Sequence, residues 1–319
     1  MSTASLAGLT HLQIDPTSQC DLTCIYCVGR HWKQSKADLG TVERLCRDCG
    51  ELDYVHLQGE GEPFVHRDFL TMVERVRATG ADVGFITNGR HLTENTVRRL
   101  IGLGVRSVGI SVDSLDPEVY RRLRHGELGP VLEGLRRLLD ARADARSPDV
   151  YLTAVLTRST FDDFEEIIAF SQREGLSPPS AQPLQGMPTY VEHYPSELDG
   201  ELLTDEQHRK LQEYWRGRDE TRRRLGLRTY FEDLFAGPDD SRCAFLERSL
   251  HVRFDGHVFP CCFMKDDRHS LGHLGQDDLK TVWNGERRRA MRHELAAGRV
   301  PEPCEGCPVL SRPDSTADG

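Results

Sequence analysis

The sequence has 319 residues, of which 38% are hydrophobic and 29% are charged, a composition typical of a globular protein. Its formal net charge is -10, from 51 acidic and 41 basic residues. This excess of acidic residues argues against a nucleic-acid partner, because proteins that bind nucleic acids usually carry clustered basic residues. It is compatible with a cationic substrate. No apolar run has the length of a membrane span and the N-terminus lacks a secretion-signal pattern, so we expect no membrane partner and a cytoplasmic location.

Strand and helix patterns alternate from residue 9 to residue 184. The predicted strands are 9–15, 54–58, 83–87, 107–112, 151–156 and 181–184. The predicted helices are 39–52, 68–79, 94–103 with Thr93 as N-cap, 117–124, 130–143 and 161–174. Six β-α units with buried strands predict a parallel sheet with helical crossovers. Since eight units close a barrel, six predict an α/β fold with a partial (β/α)6 TIM-like barrel, functional at the carboxyl ends of its strands.

The alternation stops after residue 185. Residues 186–200 are predicted as a loop, 205–225 as a charged helix, 250–260 as a hairpin turning at Asp255-Gly256, 279–297 as a final helix and 311–319 as a disordered tail. We therefore predict a barrel over residues 1–185, a helical linker over 186–242 and a small C-terminal domain of hairpin plus helix over 243–319.

Ten cysteines cluster towards the two ends of the chain, which favours metal sites over disulfides in a cytosolic protein. Cys20, Cys24 and Cys27 form a C-x3-C-x2-C run. A four-iron cluster normally takes four thiolates, so three neighbouring cysteines leave one iron open to bind a further molecule. The alternative is a zinc site that borrows a distant His or Cys.

This run resembles the defining motif of the radical S-adenosylmethionine (SAM) superfamily. Gly61-Glu62-Pro63 is similar to the family's Gly-Gly-Glu-Pro turn, with Glu60 in place of the first glycine. Residues 85–89 and 110–114 resemble its third and fourth strands. The resemblance covers residues 9–184 and implies a [4Fe-4S] cluster whose open iron binds SAM and cleaves it to a 5′-deoxyadenosyl radical. An external electron donor, a flavodoxin or ferredoxin, is also implied.

The resemblance also implies which residues contact SAM. It implies that Tyr26 contacts the adenine ring of SAM and that Gly61 and Glu62 bind the amino group of SAM. The remaining contacts implied by the third and fourth strands are Asn88, Ser111 and Asp113.

A second cysteine set lies near the C-terminus: Cys243, Cys261, Cys304 and Cys307. Four thiolates around a hairpin are typical of a second cluster, with a structural zinc site as the alternative. The region resembles the SPASM/twitch extension of radical SAM enzymes, as do residues 271–284. Because no cysteine follows Cys307, the shorter twitch form with one auxiliary [4Fe-4S] cluster is the better match.

Cys262 is left over from this ligand count. It is either a packing residue or a hydrogen-atom donor to a substrate radical. Cys46 and Cys49, three residues apart in a predicted helix, are interpreted as structural.

The reaction is less strongly specified than the radical chemistry. Peptide-modifying relatives often carry a further domain before the first cluster, and only 19 residues precede Cys20, so we expect a small polar substrate. Resemblance to aminoglycoside-pathway enzymes favours oxidation at a carbinol carbon of a sugar, aminocyclitol or aminoglycoside. Epimerisation with Cys262 as hydrogen donor, a peptide maturase and a non-catalytic zinc-binding module are the alternatives. The predicted substrate contacts lie after the sixth strand: Gln182, Gln185, Tyr190, Glu192 and His193.

Overall fold

The computed structural model describes residues 5–50, 52–142, 147–227, 243–264, 266–307 and 310. Within these ranges one sheet runs in the order β6-β5-β4-β3-β2-β1-β7-β8-β9. Its strands are β1 His11–Ile14, β2 Tyr54–Leu57, β3 Asp82–Thr87, β4 Ser107–Ser111, β5 Asp149–Leu156, β6 Ser180–Pro183, β7 Ser249–Val252, β8 His257–Phe259 and β9 Gly272–His273.

Helices follow the barrel strands as the sequence predicts. They are α1 Leu39–Cys49, α2 Phe69–Arg77, α3 Glu94–Gly102, α4 Pro117–Arg124, α5 Leu128–Arg142, α6 Asp163–Arg173, α7 Pro188–Val191, α8 Asp205–Leu225, α9 Ala244–Arg248, α10 Leu279–Trp283 and α11 Glu286–Ala296. The predicted ends are off by up to three residues. Thr93 caps α3 by accepting a hydrogen bond from the backbone of Thr96, as expected.

All neighbouring strands from β1 to β6 are parallel, which confirms the predicted partial barrel. Their apolar side chains pack against the helices in one core, which also buries Cys49 and contacts Cys46 on α1. No helix among the described residues is both long and apolar enough to cross a membrane.

Two predictions for the chain after residue 185 are wrong in detail. The helix predicted over 279–297 is divided into α10 and α11, because Gly285 takes an extended backbone (φ -64°, ψ 153°) that ends the first and caps the second. The loop predicted over 186–200 contains α7, whose first residue, Pro188, is pre-set for a helix start. The predicted tail and part of the linker, residues 228–242, lie outside the described residues.

The predicted hairpin forms, and it extends the barrel sheet. Its first strand, β7, pairs in parallel with β1, and β8 returns antiparallel through a turn in which Gly256 has a φ of +94°. Nε2 of His251 on β7 lies 2.7 Å from the buried Asp15 carboxylate at the end of β1. The domain boundaries stay a prediction, although β7 is hydrogen-bonded into the same sheet as the barrel strands.

Helix α8 covers the amino ends of β5 and β6. The buried Arg222 guanidinium donates to the carboxylate of Asp149, the first residue of β5. Tyr214 and Trp215 donate to the backbone carbonyls of Pro179 and Ala181, at 2.6 and 2.9 Å. The helix therefore leaves the carboxyl ends of the strands uncovered.

Replacing Arg222 by Met tests this anchor. The variant leaves Asp149 buried without its cation, so we expect a loss of about 3–5 kcal/mol in the free energy of unfolding. Arg223→Met, which changes the exposed neighbouring arginine on the same helix, is the matched control. Denaturant unfolding of the metal-free proteins measures both changes, and equal losses in the two variants would contradict the assignment.

Candidate functional site

A cavity of about 230 Å³ opens at the carboxyl ends of the barrel strands. Its wall contains the three cysteines of the first run and every predicted SAM contact except Asp113. The structure therefore brings together side chains that the sequence places up to about 90 residues apart. These predicted lining residues are Cys20, Cys24, Cys27, Tyr26, Gly61, Glu62, Asn88 and Ser111.

The cysteine run forms a loop between β1 and α1 that is held against the end of α4. The backbone N–H of Ile25 donates to the carbonyl of Leu123 at 2.9 Å, and the Cys24 thiol lies 3.9 Å from the carbonyl of Arg124. Burial raises the pKa of Cys20 to about 11 and also raises the pKa values of Cys24 and Cys27. The metal-free thiols are therefore protonated at neutral pH, and iron binding must displace their protons.

The turn after β2 presents a buried carboxylate. Glu62 accepts hydrogen bonds at 2.7 Å from the Thr87 hydroxyl and from the backbone N–H of Asn88. Burial raises the pKa of Glu62 to about 7. Gly61 lies so close to the cysteine loop that an added Cβ would be 2.3 Å from the carbonyl oxygen of Thr17. Glycine is thus required where the turn meets the loop, as the motif suggests.

Asp113 lies behind the cavity wall and holds two lining side chains. It is fully buried, and its carboxylate accepts hydrogen bonds from Arg124 Nε and Nη2 at 2.8 and 2.7 Å. The Tyr26 hydroxyl and the backbone N–H of Val155 donate to the same carboxylate. Asp113 therefore orients Tyr26 and Arg124 and does not itself line the cavity, and its contact with SAM stays a prediction.

The predicted substrate contacts divide between two places. Gln182, Gln185 and Tyr190 line the cavity. Glu192 and His193 do not; they line a separate surface cleft, where His193 stacks on His31 at 4.8 Å between ring centroids. Since Tyr190 and Tyr194 on either side of them line the cavity, Glu192 and His193 face away from it.

Five residues line the SAM cavity although the sequence did not predict them as site residues: Gln13, Gln58, Glu60, Arg124 and Tyr194. Gln13 carried a usable signal, because it is the only amide within the otherwise apolar and aromatic run His11–Ile14. Arg124 carried none, since its place at the end of α4 becomes significant only once α4 packs beside the cysteine loop.

A second, largely apolar cavity is lined by all four cysteines predicted to hold the auxiliary cluster: Cys243, Cys261, Cys304 and Cys307. Cys243 precedes α9, and Cys261 follows β8. Burial raises the pKa values of Cys243, Cys261 and Cys304, with further increases from the neighbouring thiols. Four thiols that line one apolar cavity fit an iron–sulfur cluster, although no three His, Cys, Asp or Glu side chains of the described residues already surround a single metal position.

Cys262 does not line this second cavity. It lines the first one, together with Cys20, Cys24 and Cys27. The backbone of the tight turn after β8 thus sends two consecutive thiols to different sites. Phe263, the next residue, contributes to the walls of both cavities, so the two sites are neighbours.

Replacing Gly61 by Ala should disturb the first site. The new methyl group would collide with the cysteine-loop backbone, so we expect SAM affinity to fall about tenfold or more, since even small misplacements are costly in such sites. Gly102→Ala is the control, because an added Cβ there meets no atom within 4 Å. Equilibrium dialysis of SAM against the reconstituted proteins measures the effect, and an unchanged affinity in Gly61→Ala would refute it.

Single cysteine variants should separate the two sites. We expect Cys24→Ala to lose about four of eight irons together with SAM cleavage, and Cys304→Ala to lose about four irons while the first cluster still binds SAM. Cys46→Ala, whose thiol lines neither cavity, should keep the full iron content. Iron analysis and the electron paramagnetic resonance spectrum with and without SAM distinguish these outcomes. Loss of all iron in both variants would contradict two separate sites.

Two curated relatives share the sequence in different proportions. A tungsten-containing aldehyde ferredoxin oxidoreductase cofactor-modifying protein from Pyrococcus furiosus is 25% identical over 305 residues, which cover 88% of this chain and 82% of that protein. A GTP 3′,8-cyclase from Bradyrhizobium diazoefficiens is 37% identical over 139 residues, 40% of either chain. The chain thus spans less than half the length of that cyclase.

Among solved structures, Streptococcus suis SuiB bound to its precursor peptide SuiA superposes with a TM-score of 0.69. The match covers 95% of this chain and 72% of that chain, at 17% sequence identity. It confirms the fold.

Two family models match the sequence itself. Residues 14–171 match the radical SAM superfamily, and residues 243–308 match SPASM, an iron–sulfur cluster-binding domain. These matches confirm the predicted cofactors: a SAM-binding [4Fe-4S] cluster, auxiliary iron–sulfur binding and SAM. The chain therefore belongs to the radical SAM superfamily and carries a C-terminal SPASM domain.

Proposed function

We propose that this radical SAM enzyme inverts a carbinol carbon of a small sugar, aminocyclitol or aminoglycoside, with Cys262 as the hydrogen-atom donor. The observation that carries the proposal is the position of Cys262 in the wall of the SAM cavity, apart from the four cysteines of the second cavity. Position thus favours epimerisation over the oxidation that the sequence ranks first. The residues named as cluster ligands and SAM contacts belong to the same proposal.

One group of residues would hold the first cluster and SAM, and Cys262 would complete the reaction. Cys20, Cys24 and Cys27 would hold the first cluster, with Glu62 at the SAM amino group. SAM held there would supply the radical chemistry that removes a hydrogen atom from the substrate carbon. The Asp113 carboxylate keeps Tyr26 and Arg124 fixed in the wall of the cavity.

Cys262 completes the inversion by giving a hydrogen atom to the opposite face of the carbon radical. The S–H bond breaks, a C–H bond forms, and a thiyl radical remains on Cys262. One electron from a flavodoxin or ferredoxin and one proton from solvent restore the thiol. Each turnover therefore consumes one SAM and two electrons, and the substrate is neither oxidised nor reduced.

Oxidation is the second candidate, and the shared wall residue Phe263 favours it. The two cavities are adjacent, so an electron released by a substrate radical has a short path out of the first site. In this reaction the carbon radical loses an electron and its hydroxyl proton, giving a ketone. The electron returns to the external donor, and Cys262 takes no part.

Replacing Cys262 by Ala separates these reactions. For wild-type protein in deuterium oxide we expect one deuterium at the inverted carbon, since the thiol proton exchanges with solvent. The variant should still form 5′-deoxyadenosine but lose about 100-fold or more of the inverted product, because the donor of the returning hydrogen atom is absent. Mass spectrometry of product and 5′-deoxyadenosine measures both yields, with Cys46→Ala as the thiol control.

Other outcomes would overturn the proposal in identifiable ways. A ketone formed equally by wild type and Cys262→Ala would establish oxidation. Turnover of a precursor peptide encoded by a neighbouring gene, without turnover of polyols, would establish a peptide maturase. Stoichiometric zinc with no 5′-deoxyadenosine would exclude radical chemistry altogether.

A further inference from the structure

Two glutamines lie on adjacent strands in the cavity wall. Gln13 is in β1, where it pairs with His56 of β2, and Gln58 follows β2 directly. Gln13 is 2% exposed, whereas Gln58 is half-buried. Neither is a predicted cluster ligand or a predicted SAM contact, so the cofactor site described above assigns no chemistry to their side chains.

Hydrogen bonds fix the orientation of both amides. Nε2 of Gln13 donates to the backbone carbonyl of Gln58 at 2.9 Å, so its Oε1 cannot occupy that position. Oε1 of Gln58 lies 2.8 Å from Nε2 of His56. Because an amide oxygen only accepts, Nε2 of His56 is the protonated ring nitrogen and donates. Burial lowers the pKa of His56 to about 4, so the ring is neutral at physiological pH.

Two polar groups of these amides make no hydrogen bond with the described residues: the acceptor Oε1 of Gln13 and the donor Nε2 of Gln58. Oε1 of Gln13 is buried and has no hydrogen-bond partner among the described residues. A native protein seldom keeps such an acceptor unsatisfied, and a bound ligand is one reason for doing so. Nε2 of Gln58 makes no hydrogen bond with the described residues either. The two amides therefore offer complementary groups on neighbouring strands.

We propose that Gln13 and Gln58 form a subsite for a hydroxyl group of the substrate. Oε1 of Gln13 accepts the hydroxyl proton, and Nε2 of Gln58 donates to the hydroxyl oxygen. A hydroxyl group satisfies both amides, whereas an ammonium group cannot accept and a carbonyl oxygen cannot donate. The subsite therefore selects a substrate that presents a hydroxyl group, and the inference rests on the proposed function, which places a small hydroxylated substrate in this cavity.

Binding measurements on the reconstituted holoenzyme with SAM, without reductant, test the subsite. The probes are 2-deoxystreptamine, D-glucosamine and scyllo-inositol, followed by the single-deoxy derivatives of the tightest binder. For Gln13→Met we expect about a tenfold or larger loss of affinity for the intact polyol. The same variant should bind one deoxy derivative as well as wild type does, because both partners of one hydrogen bond are then absent. SAM affinity should not change.

Two further variants make the result decisive. Gln58→Met removes the donor from a half-buried position after the strand and tests the subsite even if Gln13→Met fails to fold. Gln172→Met, on the exposed face of α6, is the matched control and should bind every probe as wild type does. Uniform weakening for all probes, weakened SAM binding, or no binding of any probe by wild type would each overturn the subsite.

The outcome is separable from that of the proposed function. Binding is measured without turnover, whereas the role of Cys262 is read from the deuterium content of the product. If Cys262→Ala abolishes inversion while Gln13→Met binds normally, the subsite is wrong and the proposed function stands. If the hydroxyl-specific loss is found but Cys262 is dispensable, the substrate class stands and the fate of the radical is different.

Discussion

The buried ion pair between Asp113 and Arg124 is the interaction on which the first site depends. It joins the segment after β4 to the end of α4 with two hydrogen bonds, and the backbone of Val155 adds a third from β5. A carboxylate in a site without solvent is stable only when its lone pairs are satisfied, and here the Tyr26 hydroxyl supplies the last donor. Because Tyr26 lies between Cys24 and Cys27, the ion pair also fixes the cysteine loop.

A second constraint is that two consecutive cysteines belong to different sites. Cys261 and Cys262 are consecutive, yet one lines the apolar cavity of four thiols and the other lines the SAM cavity. The turn that follows β8 makes this possible, because it exposes neighbouring side chains on different sides of the chain. β8 belongs to a hairpin that pairs with β1, so the turn is held beside the barrel mouth by the main sheet.

Helix α8 covers the barrel at the amino ends of β5 and β6, whereas the cavity opens at the carboxyl ends of the strands. Helix α8 buries Arg222 against Asp149 under the amino ends of the strands. At the carboxyl ends, loops carry the cysteines and the Glu62 turn, and the amides belong to Gln13 in β1 and Gln58 just after β2. The parallel strand order is the reason that these segments, distant in sequence, end at the same edge.

The sequence by itself indicated the cofactor chemistry, through the resemblance of its cysteine run and turns to the radical SAM superfamily, and it determined the fold class, because the β-α alternation repeats along the chain. It also identified the Gly61-Glu62-Pro63 turn, and the structure shows that close contact of Gly61 with the cysteine loop permits no side chain there. Only the tertiary structure decided which residues line the SAM cavity and which lie behind its wall or outside it. Asp113 lies behind the cavity wall, Glu192 and His193 line a separate cleft, and Gln13 and Arg124 line the cavity. These outcomes depend on helix packing and strand register, which bring together residues that no local spacing relates.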